Sequence, residues 1–178
     1  MKPKIEVPSL DKLSKKSQNF LTSMQKTMGK IPNMYAITGY SENALQSYLS
    51  FSNRKSSLSS ADKEIINLLV SQLNNCDYCI AAHIGKAKAN AGFTDQQITS
   101  IRKCEFSDAK QKALGAFIKE VVENKGTVKP ETLEQFFNVG YTNENLVDAV
   151  LLVADRIFTN YLHAVTDMPI DFPEVPKI

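Results

Sequence analysis

Apolar residues recur at three- and four-residue spacing through almost the whole chain, and no run alternates apolar with polar residues in the β-branched pattern a strand requires. The pattern predicts an all-α fold built from several helices. Leu10, Leu13, Phe20, Leu21, Met24 and Met28 space out a first helix that starts from Ser9 as N-cap and stops at Gly29. Pro32 then opens a short connecting segment, and Ser41 caps a second helix carrying Leu45, Tyr48 and Leu49. The serine-rich stretch Ser56–Ser60 breaks the period.

A third helix follows from about Ala61, capped by Ser59 or Ser60, and holds Glu64 among Ile65, Ile66, Leu68, Leu69 and Leu73. Asn74-Asn75 interrupts it, and Asn75 reads as the cap of a helix that carries Cys76 and Cys79 and runs through small residues to Ala91, with Gly92 as its stop. Thr94 and Gln97 have capping-box spacing. Later helices are expected over 107–125, from Pro130, and from the cap Thr142 through Val165, before an extended tail with Pro169, Pro173 and Pro176. The chain reads as one domain over 1–178, with an N-terminal helical subdivision (1–58), a motif-bearing core (59–165) and the tail (166–178).

Composition narrows the class. With 178 residues and 43% hydrophobic content the chain can bury a real core. Its 21 basic and 19 acidic residues are interspersed, so no nucleic-acid footprint stands out. The basic N-terminus is followed by no apolar run, and the apolar stretches are too short to span a bilayer; the expectation is a soluble cytoplasmic protein with no membrane partner. Three cysteines, two of them in one CxxC, do not form the even framework of a disulfide-stapled secreted domain and fit a reducing compartment.

The chemistry concentrates between Glu64 and His83. If Cys76 opens a helix, Cys79 and His83 share its face, so two thiols and a base become neighbours. A helix N-terminus favours the thiolate over a reference thiol pKa of about 8.5. His83 can take a proton from Cys79, and Glu64 can orient the imidazole. A thiolate that attacks a peroxide becomes a sulfenic acid, which a second cysteine one turn away converts to a disulfide. Proximity to His83 selects Cys79 as nucleophile and leaves Cys76 to resolve.

The segment 59–101, with Glu64, then Cys76-Asp77-Tyr78-Cys79, then His83, then Ala91-Gly92-Phe93, resembles the core of the alkylhydroperoxidase D and carboxymuconolactone decarboxylase superfamily. Thr159-Asn160-Tyr161-Leu162-His163 and Asp171-Phe172-Pro173 resemble the ending of its peroxidase-related branch. The resemblance implies an all-helical, cofactor-free fold, assembly as homo-oligomeric trimers or hexamers, and an antioxidant peroxidase recycled by a lipoyl or thioredoxin-like reductant. It places the peroxidatic thiol on Cys79, the resolving thiol on Cys76 and the proton relay on Glu64 and His83. Where well-known members have a histidine between the cysteines, this chain has Tyr78, whose phenol is no base near neutrality.

Other readings stay open. Cys76, Cys79 and His83 could be zinc ligands, with Glu64, His163 or Cys104 as a fourth. A non-redox enzyme of the decarboxylase type would use Glu64 and His83 as acid and base on a lactone or keto acid. The thiol pair could also be inactive, on a helical assembly module. Glu64 could instead simply face water in the first turn of its helix, and Asp155-Arg156 reads as a structural ion pair or interface contact. His163 reads as a packing or interface residue, Cys104 as a buried lone thiol, and Tyr35, Tyr40, Phe51, Phe136 and Phe137 as core.

Overall fold

Most α-helices among the described residues start where a side chain can satisfy a first free amide, those after Pro32 and Lys129 being the exceptions. In the computed structural model, which describes residues 4–178, the described residues form nine α-helices and no strand. They are α1 (Lys15–Met28), α2 (Asn33–Thr38), α3 (Glu42–Ser52), α4 (Ser60–Leu73), α5 (Asp77–Ala91), α6 (Asp95–Arg102), α7 (Ala109–Glu123), α8 (Pro130–Asn138) and α9 (Asn143–Thr166). Ser59 and Asp62 form a capping box on α4, and Thr94 and Gln97 form the expected one on α6. Thr142 and Asn145 exchange the same pair of hydrogen bonds at the start of α9.

Three boundaries differ from the sequence reading. Ser9 precedes only a 3-10 turn, Leu10–Lys12, and it is Ser14 that accepts the Ser17 amide and starts α1. The segment after Pro32 is itself the short helix α2, whose six residues are too few for a period to show. Asn75 does not cap the cysteine helix: it takes a left-handed φ of 53°, and this turn makes Cys76 the N-cap of α5.

The chain divides into two compact units. The first, Met1–Lys55 with Tyr161–Asp171, packs Leu13, Leu21 and Leu45 together with Leu10, Phe20, Ile31, Tyr35 and Leu49. Within it the Tyr40 ring is exposed, correcting its reading as core; its hydroxyl donates to the carbonyl of Glu6.

The second unit, Ser56–Asn160 with Phe172–Ile178, carries the larger core and the chemistry. Every residue of α4 from Glu64 to Ser71 is buried, so this helix is buried on all sides, and it packs against α5, α6 and α7. Ile65, Ile66, Leu68, Leu69 and Val70 each remove nearly all of their surface from water, worth about 1.5–3 kcal/mol per large aliphatic side chain. Phe136 is fully buried against Phe117, Phe137 and Tyr141. Gly115 lets the Phe106 ring lie directly on the backbone of α7, in space that a Cβ would need.

Residues 172–178 return to this unit: Phe172 meets Tyr78 edge-on at 5.4 Å, and Pro176 accepts a hydrogen bond from Arg102. Among the described residues no helix is long and apolar enough to cross a membrane.

Candidate active site

The site is a buried polar cluster where three helices of the second unit supply one side each. From α5 come Cys76 at the N-cap, Cys79 in the first turn and His83 one turn further. Their spacing puts all three on the buried face, as the sequence predicts. From α4 comes Glu64, which is only 6% exposed. It stands in the second turn of α4, past the reach of the helix terminus, and this corrects the reading in which it faces water in the first turn. From α9 come Asp155, Arg156, Thr159 and Asn160, all buried.

The two thiols are free, and their Sγ atoms lie 2.8 Å apart, with Cys76 donating to Cys79. The Cys79 amide also points at Cys76 Sγ, at 3.4 Å. These contacts split the pair. The hydrogen bond from Cys76 lowers the Cys79 pKa to about 7, aided by Thr159, Asn160 and the charge of Arg156, against the opposing effect of burial. Cys76, which must keep its proton to donate it, is pushed far up by that same bond and by burial.

Thr159 Oγ1 is 3.7 Å from Cys79 Sγ and donates to the Arg156 carbonyl at 3.0 Å. One hydroxyl has one proton, so Thr159 accepts from the Cys79 thiol while bonded to the carbonyl, and turns to donate once the sulfur is a thiolate.

His83 is 4% exposed, and both of its ring nitrogens are engaged: Nδ1 with Glu64 Oε2 at 2.7 Å, and Nε2 with Arg156 Nη1 at 2.8 Å. A guanidinium only donates, which makes Nε2 the acceptor and puts the ring proton on Nδ1, donated to Glu64. Burial, with the charges of Arg156 and Lys86, lowers the His83 pKa to about 4 despite Glu64, so the imidazole is neutral near pH 7. Burial pushes the Glu64 carboxyl up, but the His83 hydrogen bond, the nearby positive charges and Asn67 outweigh it and hold the carboxyl below its ordinary range.

The structure thus brings Cys76 to Cys79 and Glu64 to His83, and it joins the two pairs through α9. Asp155-Arg156, which the sequence presents as a structural or interface pair, lies inside the cluster: Arg156 bonds His83 and pairs with Asp155 Oδ1. A signal for this was available. Arg156, Thr159 and Asn160 continue the helical spacing of Ala149, Leu152 and Val153, so these polar residues sit in phase with an apolar stripe.

Tyr78 is buried against Phe172. Cys104 is only partly buried and takes a left-handed φ of 59° at the end of α6, correcting its reading as a buried thiol. Among the described residues no three His, Cys, Asp or Glu side chains gather as ligands of one metal ion, so the zinc reading finds no ligand set here.

Residues 40–118 match the model of the carboxymuconolactone decarboxylase family. An uncharacterized Bacillus subtilis protein, YdfG, is 28% identical over 103 residues, 56% of this chain and 69% of its own. The fold is similar to that of an uncharacterized peroxidase-related protein from Ralstonia eutropha JMP134 with an alkylhydroperoxidase AhpD core (TM-score 0.84, 18% identity, 98% of both chains). It is similar also to that of a peroxidase-related protein from Silicibacter sp. TM1040 (TM-score 0.82, 21% identity, 94% of this chain and 91% of that one).

Proposed function

We propose that this chain, whose residues 40–118 match the carboxymuconolactone decarboxylase family model, is a member of the alkylhydroperoxidase D and carboxymuconolactone decarboxylase superfamily and a thiol-dependent hydroperoxidase that reduces peroxides through a dithiol–disulfide cycle. The observation that carries this reading is the pair of free thiols 2.8 Å apart, only one of which is set to ionise near neutral pH.

Cys79 as thiolate attacks the terminal oxygen of a hydroperoxide. The O–O bond breaks, the sulfur is oxidised to a sulfenic acid, and the departing alkoxide takes the proton released when the thiol ionised. Cys76, still protonated, then attacks the Cys79 sulfur, expelling the hydroxyl with its own proton as water and closing the disulfide. Glu64 and His83 are linked to the thiol side of the site through Arg156, which donates to His83 Nε2.

Two electrons from an external dithiol of the lipoyl or thioredoxin-like class restore the thiols, which fits an antioxidant role. Assembly as trimers or hexamers, with no bound cofactor, belongs to the same proposal. The acid–base alternative on a lactone or keto acid is weaker, because both His83 nitrogens already have partners within the protein.

The test is a thiol count before and after a stoichiometric pulse of organic hydroperoxide, with mass spectrometry to place any disulfide. A rapid Cys76–Cys79 bond is expected. Two thiols left unreacted would overturn the proposal.

A further inference from the structure

The guanidinium of Arg156 takes the His83 nitrogen that a relay from Glu64 would need to reach a thiol. Its Nη1 donates to His83 Nε2 at 2.8 Å and its Nη2 pairs with Asp155. The remaining imidazole nitrogen donates its proton to Glu64. In this arrangement His83 has no lone pair left with which to take the Cys79 proton.

We infer that Arg156 is the positioning residue through which Glu64 and His83 act on Cys79: the pair fixes the guanidinium, and the guanidinium's charge, not His83 as a base, favours the thiolate. The inference rests on Cys79 being the attacking thiol of the proposed cycle.

The groups around Cys79 support that assignment. From α5 it meets Cys76, which keeps its proton, and it interacts with the Lys86 charge. From α4 the cluster has Glu64, whose charge is shared with His83. From α9 it has Asp155, whose charge is shared with Arg156, and Arg156 itself, the charged group that lowers the Cys79 pKa. His83, buried and neutral, brings no charge of its own. Thr159, three residues on in α9, contacts Cys79 Sγ through the same Oγ1 that donates to the Arg156 carbonyl while the thiol is protonated and turns to the sulfur once it is a thiolate. The turn of α9 that carries the guanidinium therefore also carries the thiol's hydrogen-bond partner.

The experiment is the pH dependence of Cys79 alkylation by iodoacetamide, located by mass spectrometry on the full chain with no peroxide present. Asp155→Asn/Arg156→Met removes the charge without stranding a buried carboxylate, and Arg156→Gln serves as the second neutral variant if the double one does not fold. Either is expected to raise the alkylation midpoint by about one pH unit, roughly tenfold less thiolate below the midpoint. Arg156→Lys, which keeps the charge, is expected to restore most of that shift, and His83→Gln to move the midpoint less than either neutral variant.

A folded neutral variant with an unmoved midpoint would overturn the inference, and so would His83→Gln shifting it as far as Arg156→Gln does. Because alkylation reads ionisation alone, wild-type protein that forms no disulfide with hydroperoxide would sink the peroxidase reading separately.

Discussion

The α5 side of the site and the α9 side are both buried and polar, yet they work by different means. On α5, two thiols and an imidazole lie within eight residues, and the thiols are the groups proposed to change covalent bonds. On α9, some 75 to 80 residues later, Asp155, Arg156, Thr159 and Asn160 offer charge and hydrogen bonds and no nucleophile. The hydrogen bond from Cys76 is the largest influence that lowers the Cys79 pKa, and the opposite helix contributes three more through Thr159, Asn160 and Arg156. The contrast teaches that a reactive motif sets which atoms react and which thiol keeps its proton, while the facing helix adds charge and hydrogen bonds that favour the thiolate further.

The comparison breaks most completely at the nucleophile. Cys79→Ser is expected to lower peroxide turnover by at least about a thousandfold, because a hydroxyl in that place has no comparable tendency to ionise. Cys76→Ser should still allow a sulfenic acid to be trapped on Cys79 in a single turnover. Trapping on Cys76 in the Cys79→Ser protein instead would reverse the two roles.

The next effect in size is on stability and lies on α9. Arg156→Met leaves Asp155 as a buried carboxylate without its guanidinium, which costs about 3–5 kcal/mol. Denaturant unfolding should show that loss, and Asp155→Asn added to it should recover much of it. If the double variant is no more stable than the single, the pair is not the energetic unit the geometry describes.

The α5 side was far more legible in the sequence than the α9 side, for physical reasons. Cys76, Cys79 and His83 are close in space because they are close in the chain, so helical spacing alone predicts their common face. Glu64 was identifiable as a candidate, but its burial was not, since that depends on α4 being enclosed by α5, α6 and α7. Arg156 does not stand out in the sequence because its neighbour Asp155 offers an immediate partner, and such a pair reads as a structural or interface contact. The caps at Ser59, Thr94 and Thr142 were readable because capping is local chemistry. The Asn75 turn was not, because its left-handed φ is fixed by how α4 hands over to α5.

Between these extremes is a pH dependence that both sides share. His83 titrates near 4 when folded and at its ordinary value of about 6.5 when unfolded, so between those values the unfolded chain binds the extra proton. Stability therefore falls as pH drops from 7 to 4, by about 3 kcal/mol from this group. Glu64, also lowered on folding, adds a loss of the same sign at more acid pH. Unfolding curves across this range should show the decline, and His83→Gln should flatten it above pH 4. An equally steep decline in that variant would assign the effect to other groups.

The smallest effect tests the finest link between the two helices. Thr159→Val keeps the shape of the side chain and removes the hydroxyl that stands 3.7 Å from Cys79 Sγ. Losing one hydrogen bond to a thiolate, at about 0.5–1.5 kcal/mol, should reduce Cys79 alkylation near pH 7 by a few-fold and leave the disulfide-forming step intact. Thr159→Ser, which restores the donor without the methyl, should regain most of the rate. A valine variant as reactive as wild type would mean that α9 acts on the thiol through the Arg156 charge alone, with the hydroxyl serving only to hold the Arg156 carbonyl.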